Sequence, residues 1–70
     1  MYHWKLKYYL KNGTVIEGIY HGHEKDSGDV AKLLLSGDTN TFNGCRGADD
    51  KSNLLVRNGE IAALDISPMV

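Results

Sequence analysis

The strongest constraint on this chain is the dipeptide Asn12-Gly13, set between two runs, WKLKYYLK and TVIEGIY, in which apolar and polar residues alternate. Alternation with period two marks half-buried strands, and Asn-Gly supplies the positive φ values of a two-residue type I′ turn. Such a turn sets Leu10 opposite Val15, Tyr9 opposite Ile16, Leu6 opposite Ile19 and Trp4 opposite His21. One face of the hairpin is then expected to carry Trp4, Leu6, Tyr8, Leu10, Val15 and Ile19 as core. The other is expected to carry Lys5, Lys7, Tyr9, Lys11, Ile16 and Tyr20, an aromatic stripe between lysines.

Length limits what such a hairpin can build. Seventy residues make one small domain, 1–70, that buries only about 60% of its unfolded surface and gains from oligomerisation or a ligand. A hydrophobic fraction of 41% and a single proline predict a folded chain. The net charge of −1 lacks the basic footprint of duplex-DNA binders, although it leaves room for a local basic strip. Cys45 is alone and has no partner for an internal disulfide, which favours a reducing, cytoplasmic setting. No signal peptide is read, and no apolar run approaches the ~20 residues that cross a membrane.

Beyond the hairpin, residues 21–26 read as a polar loop. Asp26 or Ser27 is an N-cap for a short helix with Asp29 in its first turn, Val30, Leu33 and Leu34 at helical spacing, and Gly37 as its stop. Residues 39–43 read as a short strand with Phe42 inward, followed by a glycine-rich turn over 44–50. Residues 53–57 and 60–66 read as two further strands joined by a second Asn-Gly hairpin turn, Asn58-Gly59, and ended by Pro68. The predicted fold class is mainly β (α+β), order β-β-α-β-β-β, as a strongly bent sheet or partly open five-stranded barrel with one short helix.

The stretch Lys11-Asn12-Gly13-Thr14-Val15-Ile16-Glu17-Gly18-Ile19 resembles the first motif of Sm-like proteins, and Val56-Arg57-Asn58-Gly59-Glu60-Ile61 is similar to their second. Together the two cover about a fifth of the chain. The resemblance implies a ring that binds single-stranded RNA. This chain departs from it in setting its helix after the second strand rather than before the first. It also lacks clear counterparts of the RNA-reading loop residues after Gly18. The short hairpin-led chain with its terminal EIAALDIS strand resembles small orphan proteins of bacteriophages and other mobile elements as well. That likeness implies a protein which occupies a host defence protein or sequesters a small ligand.

No catalytic residue is assigned, since no nucleophile or acid–base pair has defined spacing. His3 is expected near Gly22 across the hairpin. His3, His21 and His23 are read as surface residues in preference to a converging zinc or nickel site, Asp49-Asp50 as a solvated turn and Cys45 as a half-buried loop thiol, with no metal and no cofactor expected. The residues expected to bind a small anionic or nucleotide-like ligand between subunits are Tyr9, Tyr20, Ser27, Gly28, Arg46 and Arg57. A homo-oligomer is expected, with Tyr9, Ile16 and Tyr20 as its interface. The function expected is non-enzymatic binding, and the alternative is an Sm-like RNA-binding ring.

Overall fold

The computed structural model describes residues 1–69. Strands β1 (Tyr2–Leu10) and β2 (Val15–Gly22) form the expected hairpin, but in a different register. Trp4 pairs with Tyr20, Leu6 with Gly18, Lys7 with Glu17 and Tyr8 with Ile16. The cause is the length of the connection. The Gly13 amide donates to the Leu10 carbonyl at 3.0 Å and the Leu10 amide to the Thr14 carbonyl at 2.9 Å. Lys11 and Asn12 therefore form the centre of a β-turn, and Gly13 alone, at φ +90°, takes the left-handed position of a three-residue loop.

A slip of one residue turns every side chain of a strand to the opposite face. Ile16 and Tyr20 consequently join Trp4, Leu6 and Tyr8 on the core face, while Val15 and Ile19 turn outward beside Lys5, Lys7 and Tyr9. The expected stripe of Tyr9, Ile16 and Tyr20 is divided by the sheet. Val15 and Ile19, expected on the core face, are corrected to the outer one in the same way, where Val15 is exposed while Ile19 stays buried as expected.

Helix α1 (Ser27–Leu34) follows, capped by Asp26, whose carboxylate accepts the Gly28 amide at 2.9 Å. It lies on the core face with Val30 and Leu34 buried, whereas Leu33 is exposed. Strand β3 (Phe42–Gly47) begins later than the sequence suggests and absorbs Gly44 to Gly47, so that the turn spans 48–52. Alternation along it points Asn43 inward and Phe42 outward, the reverse of the expected orientation. Strand β4 (Asn53–Arg57) pairs with β3, and strand β5 (Ile61–Pro68) pairs with β1. Asn58-Gly59 is therefore no hairpin turn. It opens a 3-10 turn, Asn58–Glu60, that carries the chain from one edge of the sheet to the other. The five antiparallel strands run in the order β4-β3-β2-β1-β5 and do not close.

Leu6, Tyr8 and Val30 are fully buried at the centre of the core, with Trp4, Leu34 and Val56 around them. A polar chain crosses this core. The Tyr8 hydroxyl donates to Asn43 Oδ1 (2.9 Å), Asn43 Nδ2 donates to Asn58 Oδ1 (2.7 Å), and Asn58 Nδ2 donates to the Ser36 carbonyl (3.1 Å). Each buried group has a partner, so the network ties the 3-10 turn to β1, β3 and the end of α1 at little desolvation cost.

Candidate ligand-binding face

The helix covers one face of the sheet, and the outer face remains open. Across it the register aligns one row over all five strands, Ser67, Lys5, Ile19, Arg46 and Asn53. Shallow grooves of about 300, 310 and 320 Å³ run along this row and share Ile19 and Arg46 in turn. Met69 and Lys5 border one end, Met1 and His21 the middle, and Leu55 the far end. Each is open to solvent, and each lies at the lower limit of a small-molecule site. Toward the hairpin tip the exposed pair Tyr9 and Val15 face each other across β1 and β2. At the opposite corner Arg57 lies over the exposed Phe42 ring, 5.2 Å from its centroid.

Arg46 is held in place rather than free. Its Nη1 donates to the Asp50 carbonyl at 3.0 Å, and its Nε lies 3.8 Å from Asp50 Oδ1. The same carboxylate oxygen is 2.7 Å from His21 Nε2. That hydrogen bond is the main reason the Asp50 carboxyl sits below the usual carboxylate range, opposed by desolvation and helped by the nearby Arg46 guanidinium. The arrangement presents a guanidinium to the groove and keeps its counter-charge at the edge.

The residues expected to bind a ligand do not converge. Arg46, Arg57 and Tyr9 share the outer face but stand at its middle and two of its corners. Tyr20 lies on the helix side, where its hydroxyl donates to Glu24 Oε1 at 2.7 Å. Burial, and then that bond, push its phenol up to about 12, while the Glu24 carboxyl is lowered by the same contact. Ser27 and Gly28 open α1, but Asp26 already takes the Gly28 amide and Asp65 lines the groove beside them. The helix start thus meets carboxylates instead of offering free donors to an anion.

Cys45 belongs to the core side. Burial pushes its thiol up, only partly opposed by the Tyr8 hydroxyl 3.8 Å away. Its neighbour Arg46 projects to the other face, so sequence adjacency brings no cation to the sulfur. Sequence reasoning set Ile19 on the core face, Asp50 in a solvated turn and His3 near Gly22, and so missed that His3 and Asp50 both meet His21 on the outer face. The charge of Glu17 held the signal. The two-residue turn would have set Glu17 beside Tyr8 on the core face, whereas the observed register sets it opposite Lys7 in solvent.

Among the described residues no group of three or more His, Cys, Asp or Glu side chains is placed to hold a metal ion, and no helix is long and apolar enough to cross a membrane. No family model, curated protein or solved structure matches the chain.

Proposed function

We propose that the chain is a non-enzymatic binding protein that acts as a homo-oligomer and holds a small anionic, nucleotide-like ligand against the outer face of its sheet. The observation that carries this reading is the row of Lys5, Ile19 and Arg46, a buried apolar floor between two cations, under grooves too shallow to enclose a ligand alone. A second copy laid over this face completes the enclosure and covers Tyr9, Val15 and Leu55, which a monomer leaves in water. Arg46 contributes the charge for an anionic group, and Ile19 with Met69 contributes apolar contact for a flat ring. The lone thiol of Cys45 is compatible with action in the cytoplasm.

The second reading, a surface for single-stranded RNA, is favoured by one observation, the exposed Phe42 ring beneath Arg57, which suits base stacking with phosphate contact. Only one aromatic ring lies there, whereas the Arg46 row extends over the whole sheet. Native mass spectrometry of the purified chain separates the readings. The expected result is an oligomer that releases a discrete nucleotide-sized mass on denaturation, with that mass lost in Arg46→Ala. Long, nuclease-sensitive nucleic acid would favour the RNA surface. A bare 7.8 kDa monomer that binds no added nucleotide would overturn both.

A further inference from the structure

We propose that His3 and His21 form a two-imidazole site for a divalent transition-metal ion of the zinc and copper class, with Asp50 as the group that orients it. This inference stands on the hairpin register and is independent of the ligand proposed above. In the two-residue register His3 would have met Gly22, but in the observed one it directly faces His21. The His3 carbonyl accepts from the Met69 amide on the β5 side. A strand residue directs its N–H and C=O to the same side, so His3 and His21 are a non-hydrogen-bonded pair, the kind whose side chains approach most closely. The hydrogen-bonded pair Leu10 and Thr14, seven residues further along β1, agrees with this alternation.

The chemistry of the four ring nitrogens then narrows the possibilities. The two rings meet edge to face, with centroids 4.4 Å apart and planes at 82°, and their Nδ1 atoms are in contact. His21 Nε2 lies 2.7 Å from the Asp50 carboxylate, which can only accept, so Nε2 carries the proton of the neutral ring. Nδ1 of His21 is left as a bare lone pair aimed at His3. Two facing Nδ1 atoms are satisfied either by one shared proton or by a cation between them. A carboxylate on the far nitrogen is the usual support of a metal-bound imidazole, since it sets the tautomer and raises the basicity of the ligand.

Imidazole nitrogen suits zinc, copper and nickel ions at about 2.0–2.1 Å. Seating one requires the two Nδ1 atoms to part enough to admit the ion, a movement available to the exposed His3 ring. The ion takes the place of the shared proton, and His3 then carries its own proton on Nε2, so that both rings bind as neutral imidazoles through Nδ1. With two protein ligands, its remaining positions face water. Once bound it joins the start of β1 to β2 and, through Asp50, to the turn between β3 and β4.

The test is thermal unfolding of the chelator-treated full chain, followed by circular dichroism, with zinc chloride added near neutral pH. Saturating zinc should raise the Tm by about 5 °C or more. His3→Gln and His21→Gln should each abolish the rise, His23→Gln should leave it unchanged, and Asp50→Asn should weaken zinc binding by about 10- to 100-fold. Ring-proton NMR of the unmutated chain gives a second readout that does not depend on variants folding. Zinc should shift the His3 and His21 signals together and leave His23 in place. No rise in Tm, a rise that survives His3→Gln, or shifts confined to His23 would each overturn the site.

Discussion

Gly18 shows how one missing side chain shapes this sheet. A Cβ there would lie 2.8 Å from Leu54 Cδ2 and 2.9 Å from the Arg46 carbonyl oxygen, and the second of these is backbone that cannot swing away. Gly18→Ala is expected to destabilise by about 1–3 kcal/mol, read from the urea midpoint. Gly28→Ala is the contrasting case. Its nearest neighbour would be 3.5 Å off, in the first turn of a helix, so it should be neutral or favourable by up to ~1 kcal/mol. The Tyr20–Glu24 bond is pH-dependent at both ends. Glu24 has a lowered carboxyl, so its contribution is present above its ordinary value of 4.5 and lost as pH falls through the lowered one. Tyr20 is raised from 10.0 to about 12, so its contribution is full below 10.0 and lost as pH rises toward 12. The stability difference between the parent and Tyr20→Phe should therefore be greatest between these limits and shrink on both sides, as denaturation midpoints across pH would reveal.

At the level of elements, the hairpin and the 3-10 turn divide the work of the fold. A Cβ added to Gly13, at φ +90°, would meet nothing within 4 Å, so space is not the issue there, only backbone conformation. Gly13→Val is expected to cost at least ~1–2 kcal/mol because a β-branched residue resists the left-handed region. A chemical-denaturation midpoint equal to that of the parent would mean that the three-residue loop is wrong. The 3-10 turn is held differently, by side chains and borrowed carbonyls. Asn58 and Gly59 donate their amides to Thr41 and Thr39, and the Glu60 carbonyl accepts from Lys11. These bonds let a short connection send β5 across to β1 instead of back along β4.

For the molecule as a whole, the register decides which side of the sheet meets solvent. Ile16 packs against the core, so Ile16→Lys would drive an ammonium toward Tyr8 and should destabilise by ~3 kcal/mol or more, seen as loss of the native circular dichroism. Val15 is 50% exposed on the outer face. Val15→Lys should leave the spectrum intact and, if the proposed assembly uses this face, reduce the mass from light scattering to 7.8 kDa. An unchanged mass in folded Val15→Lys would move the contact away from the hairpin tip.

Local chemistry alone accounts for much of this architecture. Asp26 caps α1 because its carboxylate reaches an amide two residues on, Gly37 follows the helix at φ +101°, and period-two alternation marks β1 and β2. These signals involve residues close in sequence, so the chain carries them before any tertiary contact forms. The pairing of faces had to wait for the fold. Alternation tells which residues of one strand share a face, but a glycine loop of two or three residues joins the strands with opposite parity. Burial of Ile16 and Tyr20 with Trp4 and Tyr8, and release of Glu17 to Lys7, decide between them. The inward turn of Asn43 is likewise unreadable from its neighbours, because its partners Tyr8 and Asn58 lie 35 and 15 residues away and only the assembled sheet brings their hydrogen bonds within reach.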